Sequence, residues 1–243
     1  RWTAFTTADG LPGNLIQSSF KDREGNLWFG TQDNGVSRYD GGSFTSFDRD
    51  DGLGGMRVYS IYQDAEGYLW FGSNVNGVSR YAGSEFTTLT VDDGLPDYNL
   101  LSGFRDRNGK LWFGTQNGEL VQYTGRTLVT FTGDDGLVSG QRLTVLGQDR
   151  KGRIWANARR GLICYDGRRF NIFPNPSFLR TAYLDRQDNL WVAWGEGVGR
   201  YEGVATTMLT TEAGLAHNLV NAIFQDREGA LWFGTEGGVT RMQ

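Results

Sequence analysis

The stretch Asp22-Arg23-Glu24-Gly25-Asn26-Leu27-Trp28-Phe29-Gly30-Thr31 returns almost unchanged, 204 positions later, as Asp226-Arg227-Glu228-Gly229-Ala230-Leu231-Trp232-Phe233-Gly234-Thr235. An echo of this length at that distance marks an internal repeat. Shorter copies lie between, at Asp64–Trp70, Asp106–Trp112, Asp149–Trp155 and Asp185–Trp191. The tryptophans fall at 28, 70, 112, 155, 191 and 232, in steps of 42, 42, 43, 36 and 41. Such spacing is the length of one four-stranded propeller blade.

Within each unit the Asp-x-x-Gly tetrad has the chemistry of a tight hairpin. Aspartate accepts from backbone N–H groups ahead of it, and glycine supplies a left-handed residue. Alternating stretches precede it, such as Ile16-Gln17-Ser18-Ser19-Phe20 and Val58-Tyr59-Ser60-Ile61-Tyr62. Leu-Trp-Phe-Gly follows, with large apolar side chains on both faces, as a strand sandwiched between neighbouring sheets requires. A third strand is read at Gly35–Tyr39 and its counterparts, a short outer strand at Phe44–Phe47, and an Asp-Gly-Leu loop closes the unit. The tryptophans are therefore assigned to core, and the turn aspartates to backbone bonding rather than chemistry.

Six such units predict an all-β, six-bladed β-propeller of four-stranded antiparallel blades, with residues 1–243 forming a single domain. The chain opens on an outer strand, Trp2-Thr3-Ala4-Phe5, and ends at Met242-Gln243 before a sixth one. The N-terminal strand 1–8 is therefore expected to complete the last blade, 215–243, and close the ring, hiding the strand edges of an open array.

A formal net charge of −4 with dispersed basic residues carries no footprint of a nucleic-acid binder. No apolar run is long enough to span a membrane, so no membrane contact by this domain is expected, and no leader pattern opens the chain. The single cysteine, Cys164, excludes an internal disulfide and a cysteine-rich metal site. No cofactor and no metal are expected, and a monomer is.

The repeated Asp-Gly-Leu, Asp-x-x-Gly-x-Leu-Trp-Phe-Gly and Gly-Val-x-Arg-Tyr elements resemble the two-component regulator propeller repeat over essentially the whole chain. Such propellers form extracytoplasmic sensor portions of hybrid histidine kinases and related regulators, and several are thought to bind oligosaccharides. The resemblance implies a periplasmic or extracellular ligand-sensing role. Six blades depart from the usual ring size of that family, and no kinase or transmembrane segment follows here.

Candidate site residues come from comparing the repeats with one another. The turns repeat, whereas the starts of the first strands and the loops between second and third strands vary. This variable face supplies Arg57, Tyr59, Tyr98, Asn99, Arg142, Arg159, Arg160, Arg180, Trp194 and Glu196 as ligand-binding candidates. Arg142, Arg159, Arg160 and Arg180 suit bidentate binding of a carboxylate or sulfate, and Trp194, Tyr59 and Tyr98 suit stacking on a sugar ring. The expected ligand is an oligosaccharide or another anionic small molecule, bound without catalysis. One alternative is a lyase on uronate sugars or a cyclic ester, similar to the streptogramin-inactivating type, with His217 as base and Glu236 nearby. Another is an excised or redesigned propeller, or a protein-interaction platform, without a small ligand.

Overall fold

The computed structural model describes residues 3–96, 99–159, 161–174, 179–201 and 206–243. It contains six antiparallel sheets whose strands pair in chain order. The first sheet is β1 (Ile16–Lys21), β2 (Leu27–Thr31), β3 (Val36–Tyr39) and β4 (Phe44–Phe47). The second is β5 (Val58–Gln63), β6 (Leu69–Ser73), β7 (Val78–Tyr81) and β8 (Phe86–Leu89). The third is β9 (Leu100–Arg105), β10 (Leu111–Thr115), β11 (Leu120–Tyr123) and β12 (Leu128–Phe131). The fourth is β13 (Leu143–Gln148), β14 (Ile154–Ala158), β15 (Gly161–Tyr165) and β16 (Phe170–Pro174). The fifth is β17 (Thr181–Leu184), β18 (Leu190–Trp194), β19 (Gly197–Tyr201) and β20 (Thr206–Leu209). The last, β21 (Val220–Gln225), β22 (Leu231–Thr235) and β23 (Gly238–Met242), has three strands.

The chain divides into two compact units. One holds residues 1–134 and 138–145, the other 135–137 and 146–243, so the division runs through β13.

Each hairpin turn is built by its aspartate. In the third sheet Asp106 Oδ1 accepts from the N–H groups of Asn108 and Lys110 at 2.9 Å, while Oδ2 accepts from the Trp112 indole at 2.9 Å. The same indole-to-aspartate bond recurs at Trp28, Trp70, Trp155, Trp191 and Trp232, between 2.7 and 3.0 Å. Glycine supplies the left-handed residue of these turns, as at Gly25 (φ 95°). In the fifth sheet Asp188 takes that conformation instead, at φ 66°. Asp and Asn tolerate it better than other side-chain-bearing residues.

The core lies between successive sheets of each unit. In the first unit Trp28 packs on Phe71 (5.5 Å between ring centroids) and Trp70 on Phe113 (6.4 Å); in the second, Trp191 packs on Phe233 (5.8 Å). Each of these tryptophans thus meets the Leu-Trp-Phe strand of the next sheet. Leu53 and Leu95 from the Asp-Gly-Leu loops, each 2 % exposed, fill the same cores. At the ends of the chain this burial stops. Trp232 is 36 % exposed against 1 to 7 % for the other five, and Phe224, Val239, Leu15 and Ile16 are also exposed.

The closing strand expected from residues 1–8 is not formed by the described part of that segment. Residues 3–6 lie outside any strand, and residues 1 and 2 lie outside the described residues. The Phe5 ring packs on Tyr39 and Phe44 of the first sheet, at 5.3 and 5.4 Å. Thr6 then caps a 3-10 turn at Thr7–Asp9. Aromatic partners at the β3–β4 corner hold this segment to the first sheet.

Candidate functional site

The first strand of each sheet starts, and the second ends, on the face opposite the Asp-x-x-Gly turns. The two are laced by a backbone bond, as from Gln32 N–H to Leu15 O (2.9 Å), Asn74 N–H to Arg57 O (3.2 Å) and Glu236 N–H to Leu219 O (3.1 Å). This lacing fixes the side chains that alternate along the face.

In the first unit they form a chain of polar contacts. The Gln17 amide donates to Gln32 Oε1 at 3.1 Å, and Arg57 Nε donates to Gln32 O at 2.9 Å. Arg57 Nη2 reaches Asp33 Oδ1 at 2.7 Å. The Asp33 carboxylate first, and Tyr59 second, push the Arg57 pKa further above its usual range. Asn99 receives the Gln116 N–H on its carbonyl at 3.1 Å. Arg142, in the same unit, is exposed.

In the second unit Arg180 Nε donates to Asn221 Oδ1 at 3.1 Å, and Nη2 to Glu236 Oε1 at 3.0 Å. His217 Nδ1 accepts from the Leu219 N–H at 3.1 Å. Arg159 and Glu196 are exposed. Tyr98 and Arg160 lie outside the described residues. Among the described residues no three His, Cys, Asp or Glu side chains gather as a metal site.

Three sequence-based expectations change. Trp194 belongs to the end of β18, not to a loop, and at 8 % exposed it packs in the core with Trp155, Leu162 and Val192. Its ring faces neighbours instead of presenting a stacking platform. Arg180, read as an anion receptor, and Arg57, read as a ligand-binding candidate, are each held by a carboxylate of a neighbouring sheet, which gives a charge-assisted bond and lowers the attraction for a second anion. Glu236, read beside His217 as weak catalytic machinery, is Arg180's partner. Sequence reasoning placed Gln17, Gln32 and Asn221 on the varying face without choosing them as candidates, and missed Asp33. Their signal was present as polar residues at the varying positions, but pairing across sheets is a three-dimensional fact.

The two-component regulator propeller model matches the sequence at residues 10–33, 52–75 and 214–237. No curated protein matches it. Among solved structures, the extracellular domain of BT3049 from B. thetaiotaomicron, named as a hybrid two-component system, aligns at 22 % identity with a TM-score of 0.74. That alignment covers 94 % of this chain and 33 % of that one. PorZ, a surface component of the type-IX secretion system of Porphyromonas gingivalis, aligns at 16 % identity and TM-score 0.73, covering 94 % and 38 %. A catalytically inactive virginiamycin B lyase from Staphylococcus aureus, with quinupristin, aligns at 18 % identity and TM-score 0.71, covering 94 % and 80 %. The chain thus spans about a third of the BT3049 domain, and at these identities the likeness is one of fold.

Proposed function

Because three of its repeats are two-component regulator propeller repeats, we propose that the chain is a non-enzymatic ligand-binding propeller serving a sensor on the extracytoplasmic side. Its ligand is a neutral, hydroxyl-rich small molecule such as an oligosaccharide, held on the face where the first strands begin. The observation that carries this reading is the polar chain Gln17–Gln32–Arg57–Asp33, in which donors and acceptors alternate at 2.7 to 3.1 Å. A guanidinium already neutralised by Asp33 still offers N–H groups, and the amides beside it offer both signs. That pattern matches hydroxyls, which donate and accept, better than it matches a bare anion. The likeness to the BT3049 extracellular domain supports the location.

The lyase alternative gains little from the geometry. His217 Nδ1 is occupied by a backbone N–H and Glu236 by Arg180. The decisive experiment is calorimetric titration with neutral gluco-, manno- and xylo-oligosaccharides against the native chain and Arg57→Ala. Binding that the substitution weakens by about tenfold or more is expected, from loss of charge-assisted bonds. Saturable binding that Arg57→Ala leaves unchanged would remove the site from this face, and no binding across the panel would remove the ligand class.

A further inference from the structure

A cavity of about 540 Å³ lies on the opposite side of the first unit, between the turns of the second and third sheets. Related clefts between the first and second sheets, and between the fourth and fifth, are smaller, about 260 and 310 Å³. Two departures from the repeat lie at this junction, Ala65 and Arg105.

At three other junctions the turns of adjoining sheets are latched. The N–H of the residue after the turn aspartate donates to a side chain of the next sheet: Arg23 to Gln63 (2.9 Å), Arg150 to Asp188 (2.6 Å) and Arg186 to Gln225 (2.9 Å). The same arginines send their guanidinium groups across to a carbonyl of that sheet, at Ala65, Arg186 and Arg227. In the second sheet this latch residue is Ala65, which has no arm to send, and the glutamine position of the third sheet is Arg105. An arginine accepts nothing. The Ala65 N–H therefore has no acceptor among the described residues, and Arg105 Nε is buried without one. Ala65 and Arg105 both line the cleft, so this junction brings a backbone donor and a guanidinium where the others place a donor and an acceptor.

The rest of the cleft suits the same occupant. Arg80, Lys110, Arg107 and Arg126 also line it, giving five cations with Arg105, against Asp64 and Glu66. Asp64 is already committed to the Trp70 indole and the Tyr68 N–H. Tyr68, Trp70 and Tyr123 form an apolar wall; Tyr123 packs on Trp70 at 5.1 Å, and the Arg80 guanidinium lies 4.7 Å over the Tyr68 ring. In a chain of net charge −4 this is a local concentration of positive charge. The volume falls in the range of small-molecule sites.

We infer that this cleft is a binding site for a small polyanionic molecule, with one phosphate, sulfate or carboxylate group seated between the Ala65 N–H and Arg105 and a flat skeleton lying along Tyr68 and Tyr123. The site is independent of the oligosaccharide face. The test is calorimetric titration at about 50 mM salt with inorganic phosphate, inorganic sulfate, benzoate and 1,3,5-benzenetricarboxylate. The tricarboxylate binds more tightly than benzoate, and binding weakens at about 200 mM salt. The phosphate and sulfate arms show which oxyanion the seat prefers. Arg105→Gln, which reinstates the residue used at positions 63, 148 and 225, weakens the tricarboxylate about tenfold to a hundredfold. Ala65→Arg, which restores the missing arm, does the same by filling the cleft. Arg57→Ala leaves this binding unchanged. Absence of binding by every anion, or equal binding by native chain, Arg105→Gln and Ala65→Arg, overturns the assignment. Circular dichroism and tryptophan fluorescence confirm that the variants are folded.

Discussion

Replacing Asp185 by alanine isolates the bond on which every sheet relies. Asp185 is 6 % exposed and accepts from the Gln187 and Asn189 N–H groups, the Asn189 amide and the Trp191 indole, at 2.8 to 2.9 Å. The turn N–H groups lie near the surface and water replaces the lost acceptor. The Trp191 indole, on a side chain 7 % exposed, is left as a buried donor without a partner. An unsatisfied buried donor costs about 1 to 3 kcal/mol, and loss of a charged acceptor at the turn adds about 1 kcal/mol, for a total of about 3 kcal/mol. With a urea slope of about 2 kcal/mol/M, the midpoint falls by about 1.5 M. Asp226→Ala is the matched control in the same unit. Its Trp232 indole is bonded equally well, at 2.7 Å, but Trp232 is 36 % exposed, so water takes over and the midpoint falls by less than half as much. Asp185→Asn keeps one acceptor oxygen and falls between the two. The assay is urea unfolding followed by far-ultraviolet circular dichroism and by tryptophan fluorescence, with the two probes compared because the chain has two units. Equal losses for Asp185→Ala and Asp226→Ala would refute the reasoning, and would mean that the outer face of the last sheet is covered in solution.

Three further outcomes follow from the packing and the protonation states. Gly114→Ala drives a Cβ into the carbonyl oxygen of Leu143, a backbone atom that cannot swing away, and costs about 1 to 3 kcal/mol in urea titrations; Gly167→Ala, with nothing within 4 Å, costs only the strain of its φ of 93°. Burial pushes the Asp22 and Asp149 carboxyls up, but the indole and turn hydrogen bonds, with Arg153 in the case of Asp149, outweigh it and hold both below the ordinary aspartate range. Their contribution is therefore complete above the unfolded value of about 3.9 and is lost as pH falls through the depressed native values, so midpoints hold steady from about pH 7 to 5 and drop below about pH 4. Burial raises the Cys164 thiol to about 11, partly countered by Arg153, so it resists a thiol-specific dye at about pH 8 until urea is added.

The sheets are legible in the sequence because every unit repeats a turn whose chemistry is local. Asp, Gly and the Leu-Trp-Phe strand lie within about ten residues, and their hydrogen bonds close within that span. The sixth sheet's missing strand is legible as a gap, but not the fate of residues 1–8. Phe5 finds aromatic partners at Tyr39 and Phe44, a preference set by tertiary packing. Reading the site fails in proportion to distance. Arg57 and Asp33 are 24 residues apart, and Arg180 and Glu236 are 56 apart, so no local pattern tells which carboxylate reaches which guanidinium. Trp194 is misread by a single loop boundary, since β18 runs one residue into the stretch that reads as loop. Ala65 and Arg105 each depart visibly from the repeat, but they lie in different units of it, and only the folded chain sets them across one cleft.

The bond from each indole to the aspartate six residues earlier also makes the chain a set of six clocks. An indole proton held by its own turn exchanges with deuterated solvent only when that turn opens. Six tryptophan side-chain resonances would then time the opening of six sheets one by one, with Trp232 first to fade and Trp28, 1 % exposed, among the last. The motif that sets the period of the sequence thereby reports, sheet by sheet, on how the array comes apart.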